Sequence, residues 1–393
     1  KHILPAAMSY ARVARTSQAF AERAAAMDVL GVSSIGCAEE MRLHLDDFLQ
    51  PVLAGLADTH FRVRGSAAVA LANYAEHLQP EIIETYATLL PRVFELLGDS
   101  DMHVVERACF VLATFCEELS DNDRGDEIVP YVSRIIDTMV AILQTDRVDM
   151  HEVALSAITA AACAADEGFA PYAAGVLEKM AMCMRLPANT DVEAARRGRA
   201  TECAGMVLSS IGREHATPYI NTFVELALSN YESGNAELKE HTHNFWCNVS
   251  TLAREEMGPL LPKIVPHLLK SAEESDFNEM FFSPEAEGNG AGADGALGGL
   301  GDSDNEDDDL RLGDGLRVRT ALLEEKQAAV QALGVLAEQC GRAFGPYLEG
   351  SLSVVEDMMQ YFHGDVREAA CRAATGMCEC ARRCAPAQGA PAP

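Results

Sequence analysis

The sequence predicts an all-α fold in which antiparallel helix pairs stack into a solenoid, a right-handed superhelix. Three observations carry this: an apolar template that recurs along the chain, proline-tyrosine pairs between its occurrences, and packing residues that are small rather than aromatic. Val63, Ala67, Ala70, Leu71 and Tyr74 fall at offsets 0, 4, 7, 8 and 11, which is one apolar face of an α-helix. The template returns at Val104, Ala108, Val111, Leu112 and Phe115, and at Met150, Ala154, Ala157, Ile158 and Ala161. It returns again at Ala200, Ala204, Val207, Leu208 and Ile211, at Ala329, Leu333, Leu336, Ala337 and Cys340, and at Val366, Ala370, Ala373, Ala374 and Met377. The starts are separated by 41, 46, 50, 129 and 37 residues, and the long gap holds one weaker repeat and an insertion. A helical period near 40 to 47 is that of HEAT or armadillo arrays.

A second amphipathic helix is expected after each template helix, as in Tyr86, Leu89, Leu90, Val93, Leu96 and Leu97, or in Tyr131, Ile135, Ile136, Met139, Ile142 and Leu143. Its entry is often written Pro-Tyr, at Pro130-Tyr131, Pro171-Tyr172, Pro218-Tyr219 and Pro346-Tyr347. Proline suits a first helical turn, where its missing N–H had no partner. Two helices per unit favour the HEAT form, so the fold class is a HEAT-repeat α-solenoid, with no strand expected anywhere. The expected organisation is HEAT repeats over 1–274 (about six, the first partial) and an acidic, Gly/Asp-rich, disordered insertion over 275–317. One complete and one truncated repeat follow over 318–384, then a disordered tail over 385–393. The chain opens in mid-helix, and such arrays need polar capping repeats, so a fragment of a longer array is expected.

Composition narrows the function. Aromatic residues make up 6 % of the chain and apolar residues 48 %, so alanine and leucine must do the packing. Cys109, Cys116, Cys163 and Cys340 fall at apolar helical positions without a disulfide framework, which reads as free thiols in cytosol or nucleus. No secretory leader is read at the N-terminus, and no uninterrupted apolar run reaches the 18 or so residues that cross a bilayer. The formal net charge is −29, of which −10 lies in residues 275–317. Such a field repels nucleic acid and anionic membranes and speeds encounters with basic proteins.

Signs of chemistry are weak. Gly290, Gly292 and Gly295 spell a dinucleotide fingerprint with no strand before it. Asp302, Asp304, Glu306 and Asp308 open like a calcium loop, but Asp307 and Gly313 stand where glycine and glutamate are needed. Ser303 is an acidophilic phosphorylation candidate. His243 and Cys247 share a helix face near His241 but lack further ligands, and Cys378, Cys380 and Cys384 do not converge on one side. No catalytic residue, cofactor or metal site is expected, and the chain is not expected to be an enzyme.

The segment LLEEKQAAVQALGVLAEQCGRAFGPYLEGSLSVVEDMM, directly after the acidic insertion, resembles the middle of importin-β (karyopherin-β) superfamily receptors, most of all the importin-4 and importin-5 group. GLADTHFRVRGSAAVALANYAEHL, ARRGRATECAGMVLSSIG and YFHGDVREAACRAA follow the same likeness in order. The resemblance implies a nuclear import receptor that shuttles between cytoplasm and nucleus. It would bind localisation segments of basic cargo proteins such as ribosomal proteins or histones. Phe-Gly nucleoporins would dock outside, and Ran-GTP would bind the full-length protein. It implies first helices on the outside and second helices lining the concave face, and a monomer is expected.

From the residues themselves, carboxylates on the second helices form a candidate ladder for cargo lysines and arginines: Glu84, Glu95, Asp99, Asp137, Glu225, Glu232, Glu349, Glu356 and Asp357. Trp246, the single tryptophan, is a candidate platform beside them. Asp302, Asp304, Glu306, Asp307, Asp308 and Asp309 form the acidic loop, read either as a tolerated linker or as an element that grips or competes for basic ligands. The competing function is a HEAT scaffold for a multiprotein complex without transport activity.

Overall fold

The computed structural model describes residues 3–145, 147, 149–274, 309–312 and 316–385. Their order is α1 (Ile3–Ala14), α2 (Phe20–Arg42), α3 (Leu45–Leu56), α4 (Phe61–His77), α5 (Tyr86–Leu96), α6 (Met102–Asp121), α7 (Val132–Leu143) and α8 (Asp149–Ala165). Then come α9 (Ala170–Met184), α10 (Asp191–Ser210), α11 (Gly212–Asn230), α12 (Ala236–Ala253), α13 (Leu261–Glu273), α14 (Thr320–Cys340), α15 (Leu348–Met358) and α16 (Gly364–Cys384). The chain divides into two compact units, one of residues 1–180 and 206–216, the other of residues 181–205 and 217–393.

The template holds as a burial pattern. All five positions are buried in its first five occurrences, and in the sixth only Ala374 is half-exposed. The weak repeat obeys it too: Leu238, Thr242, Phe245, Trp246 and Val249 keep the same offsets, all buried. Thr242 stands where an apolar residue was looked for. Its hydroxyl donates to the Leu238 carbonyl (2.7 Å) and accepts from the Asn230 amide (2.9 Å), so its polarity is satisfied inside the stack. Met150–Met184 has a mean hydropathy of 1.3 over its most apolar window, long and apolar enough to cross a membrane by length and composition. It is two helices, α8 and α9, parted by a 3-10 turn at Asp166–Phe169.

The pairing of helices differs from the expected one. Each intervening helix packs on the template helix that follows it: α3 on α4, α5 on α6, α7 on α8, α13 on α14 and α15 on α16. The tight connections are those before the template helices, where Asp101 caps α6 by accepting from the His103 N–H (3.1 Å) and Asn235 caps α12 from the Leu238 N–H (3.0 Å). The other connections are looser. Pro130 and Pro346 sit inside 3-10 segments, Gly125–Tyr131 and Gly341–Tyr347, one residue before α7 and α15 begin. Pro218 lies within the continuous α11 rather than at its start.

Two layers result. In the first unit α2, α4, α6 and α8 pack side by side, and in the second α12, α14 and α16 do the same, whereas α3 meets α5, and α13 meets α15, at few points. Small residues allow the tight layer: a Cβ at Gly31 would lie 2.9 Å from the Ala70 Cα, and one at Gly334 would collide with the Ala373 backbone. A stack bends toward its more closely spaced layer. Within each unit the template helices therefore form the inner side and the intervening helices the outer side, the reverse of the expected arrangement.

Arginines tie neighbouring pairs together. Arg23 of α2 holds Asp58 in the α3–α4 turn through two bonds of 2.7 and 2.8 Å, and Arg64 of α4 holds Asp99 in the α5–α6 turn through bonds of 2.6 and 2.7 Å. The expectation of no strand is also corrected. β1 (Asp309–Leu312) and β2 (Leu316–Arg319) form an antiparallel ribbon that runs straight into α14. Alternation of leucine and valine with charged residues in DLRL and LRVR is the period-2 signal, hidden by the Gly/Asp-rich sequence before it. The rest of the acidic loop, Asp302 to Asp308, lies outside the described residues.

Candidate protein-interaction surface

The proposed ladder lies on the outer layer, and cations interrupt it. Glu95, Asp137, Glu225, Glu349, Glu356 and Asp357 are exposed on α5, α7, α11 and α15. Arg92 pairs with Glu95 at 3.2 Å, Arg134 lies 4.4 Å over the Phe94 ring, and α13 exposes Lys263 and Lys270. Glu84 precedes α5 and pairs with Arg124 at 2.8 Å. Glu232 lines an open cleft of about 440 Å³ with Arg185, Arg197 and Ser229.

Two nominations are corrected. Asp99 is taken up by Arg64: burial alone would raise its carboxyl, but the guanidinium bonds outweigh burial and hold it below the usual carboxylate range. Trp246 is fully buried, and its indole N–H donates to the Tyr231 hydroxyl at 3.0 Å. It fills the stack and presents no platform. His243 is likewise buried, its Nε2 3.2 Å from the Ser271 hydroxyl, and burial pushes its pKa down to about 3.

The inner layer carries the concentrated charge. In the first unit Glu76 near the end of α4 and Glu117, Glu118 and Asp121 near the end of α6 form one acidic group. Burial, then Asp121, Glu76 and Glu117, push the Glu118 carboxyl up to about 7. Gln79 donates to Glu118 and accepts from Asn122 (2.7 Å), which fixes that carboxyl at the helix end. Apolar side chains share this layer: Val32 and Ile35 of α2 are 53 % and 61 % exposed, and Phe110 of α6 is 51 % exposed.

The second unit repeats the arrangement with Glu202 of α10, Glu237 and Glu240 of α12, and Glu324 of α14. Burial and the neighbouring glutamates push Glu240 up to about 7. Glu202 goes the other way. Its burial is outweighed by His241 (2.8 Å), Arg199 (3.1 Å) and the Asn244 amide (3.0 Å), and its carboxyl sits below the ordinary value. A basic side chain brought to either group would relieve like-charge repulsion, so both groups are matched to cations. Composition gave their charge, but only the packing of α4 on α6 and α12 on α14 brings the residues together.

A two-layer stack of antiparallel helix pairs tied by arginine–aspartate bonds is a HEAT-repeat solenoid. A family model described as the vacuolar 14 Fab1-binding region matches residues 21–117. The chain is 28 % identical over 355 residues to the "Probable importin subunit beta-4" of Schizosaccharomyces pombe, covering 88 % of this chain and 32 % of that protein. It is 26 % identical to mouse importin-4, covering 91 % of this chain and 33 % of the relative. Its fold matches Kap121p bound to Pho4p with a TM-score of 0.79 at 21 % identity, over 97 % of this chain and 36 % of that one. Kap121p bound to Nup53p matches at a TM-score of 0.75. These relatives place the chain in the importin-β superfamily, as an importin-4-like member. It spans about a third of their length.

Proposed function

We propose that this chain is the cargo-holding stretch of a nuclear transport receptor, gripping basic localisation segments on its inner layer. The observation that carries this is the pair of inner-layer acidic groups, around Glu118 and around Glu240, in a chain of net charge −29. The relatives support it: importin-4 and importin subunit beta-4 are named as importins, and Kap121p has been seen bound to Pho4p and Ste12p. A Kap121p variant with three acidic residues replaced by lysine also shares the fold. Ribosomal-protein and histone segments have the lysine density to suit both groups, with Val32, Ile35 and Phe110 as apolar anchors between charges. Phe-Gly nucleoporin segments would use the outer layer, as the Kap121p–Nup53p complex suggests by analogy. Ran-GTP would act on the full-length receptor, which shuttles between cytoplasm and nucleus. The outer carboxylates Glu349, Glu356 and Asp357 then have a secondary part.

The test is a titration with a labelled lysine-rich peptide and a sequence-scrambled peptide of equal charge. Selective, saturable binding that is lost in E117K/D121K or E240K but kept in E349K/E356K/D357K is the expected result. Equal binding of both peptides that vanishes with salt would favour a HEAT scaffold, the reading to which the match over residues 21–117 also lends weight.

A further inference from the structure

The ribbon β1–β2 pairs Asp309 with Arg319, Leu310 with Val318, Arg311 with Arg317 and Leu312 with Leu316. Directly opposed residues share a face and successive residues alternate. Leu310, Leu312, Leu316 and Val318 therefore fall on one face, and Asp309, Arg311, Arg317 and Arg319 on the other. Three arginines on one side of so short an element stand out in a chain with 31 Lys and Arg against 60 Asp and Glu. Arg311 opposite Arg317 is a like-charge pair, unfavourable unless anions lie close by, and a two-stranded ribbon is marginal alone.

Connectivity supplies the anions. β2 passes into α14 with no linker, and Glu324 follows Arg319 by five residues, about 7.5 Å of helix. Each strand spans about 10 Å, so the arginine face is within reach of the group formed by Glu237, Glu240 and Glu324. The root is pinned as well. Lys326, 2 % exposed, donates to the carbonyls of Ala272 and Glu274 at 2.8 Å each, which caps the end of α13. Lys239 bridges Glu325 (3.1 Å) and Glu274 (3.9 Å). The end of α13 and the start of α14 are thereby held at one place on the inner layer.

We propose that the ribbon is an internal ligand of this acidic group: Arg311, Arg317 and Arg319 engage Glu237, Glu240 and Glu324 and compete there with the basic segment of a partner. The inference rests on the reading of that group as a site for basic segments. It makes the ribbon a threshold, since only a ligand that outcompetes a tethered tri-arginine element gains the site.

Two measurements test it. In the first, an arginine-specific protease is applied to the chain, and cleavage after Arg317 and Arg319 is followed by mass. Cleavage should quicken in E237Q/E240Q/E324Q and in the unaltered chain saturated with a lysine-only peptide. Unchanged cleavage in the glutamine variant overturns the inference, whatever the peptide does. In the second, R311Q/R317Q/R319Q should bind the peptide about tenfold more tightly, while R12Q/R15Q/R372Q, an equal loss of charge at exposed sites, should not. Equal gains in the two variants also overturn it. If cleavage quickens in the glutamine variant but the peptide binds no form of the chain, the ribbon contact stands and the cargo reading fails.

Discussion

The Arg64–Asp99 pair shows how a single residue joins repeats. Both side chains are largely shielded, and Arg64 also donates to the Asp58 carbonyl at 2.9 Å, so one guanidinium spans two turns. Replacing Arg64 with methionine leaves the Asp99 carboxylate without its partner and should cost about 1–3 kcal/mol in chemical denaturation. The penalty has a definite pH dependence. Asp99 is held below its ordinary value, so the pair stabilises above about pH 4 and its contribution is lost as pH falls through the depressed value. Wild type and variant should therefore converge in acid; a constant gap would mean that Arg64 acts through packing alone.

At the scale of the helix, the template was legible because its five offsets lie on one face and ask only for apolar residues. It failed where small or polar residues took those places. Thr242 hid α12, and in α2 the buried positions Met27, Leu30, Gly31 and Ser34 include two that carry no apolar signal. Which helix partners which was not legible, since both connections are short and both kinds of helix are amphipathic. That ambiguity put the expected ladder on the wrong layer: inner and outer sides depend on spacing between helices, which Gly31 and Gly334 set by removing a side chain. Gly334→Ala should destabilise the second unit by about 1–3 kcal/mol, because the new methyl meets the Ala373 backbone and not a movable side chain. Thermal unfolding with Gly350→Ala, where a Cβ meets nothing within 4 Å, is the matched control.

Across the whole molecule the excess of carboxylates sets a titration that basic ligands would feel. Glu118 and Glu240 hold protons more tightly folded than unfolded, so stability falls as pH rises from the ordinary carboxylate range toward about 7. E240Q should accordingly stabilise the chain by about 1 kcal/mol at pH near 8 and leave it unchanged near pH 4. Binding runs the other way. A lysine-rich peptide needs both groups ionised, so its affinity should rise between about pH 5.5 and 7.5, with proton release seen as a buffer-dependent heat in calorimetry. A flat profile would show that these two groups do not meet the ligand.

The meeting of α14 and α16 has a mechanical consequence. At Gly334 and Gly376 the two helices touch backbone to backbone, leaving no side chains that could compress or slide. Across the same repeats α13 and α15 barely touch. The second unit is thus built like a bound book, with a stiff spine at the glycine seam and pages free to part at the fore-edge. Strain imposed by a bulky ligand would be taken up at the outer helices, and the acidic inner layer would keep its spacing while the unit flexes around what it holds.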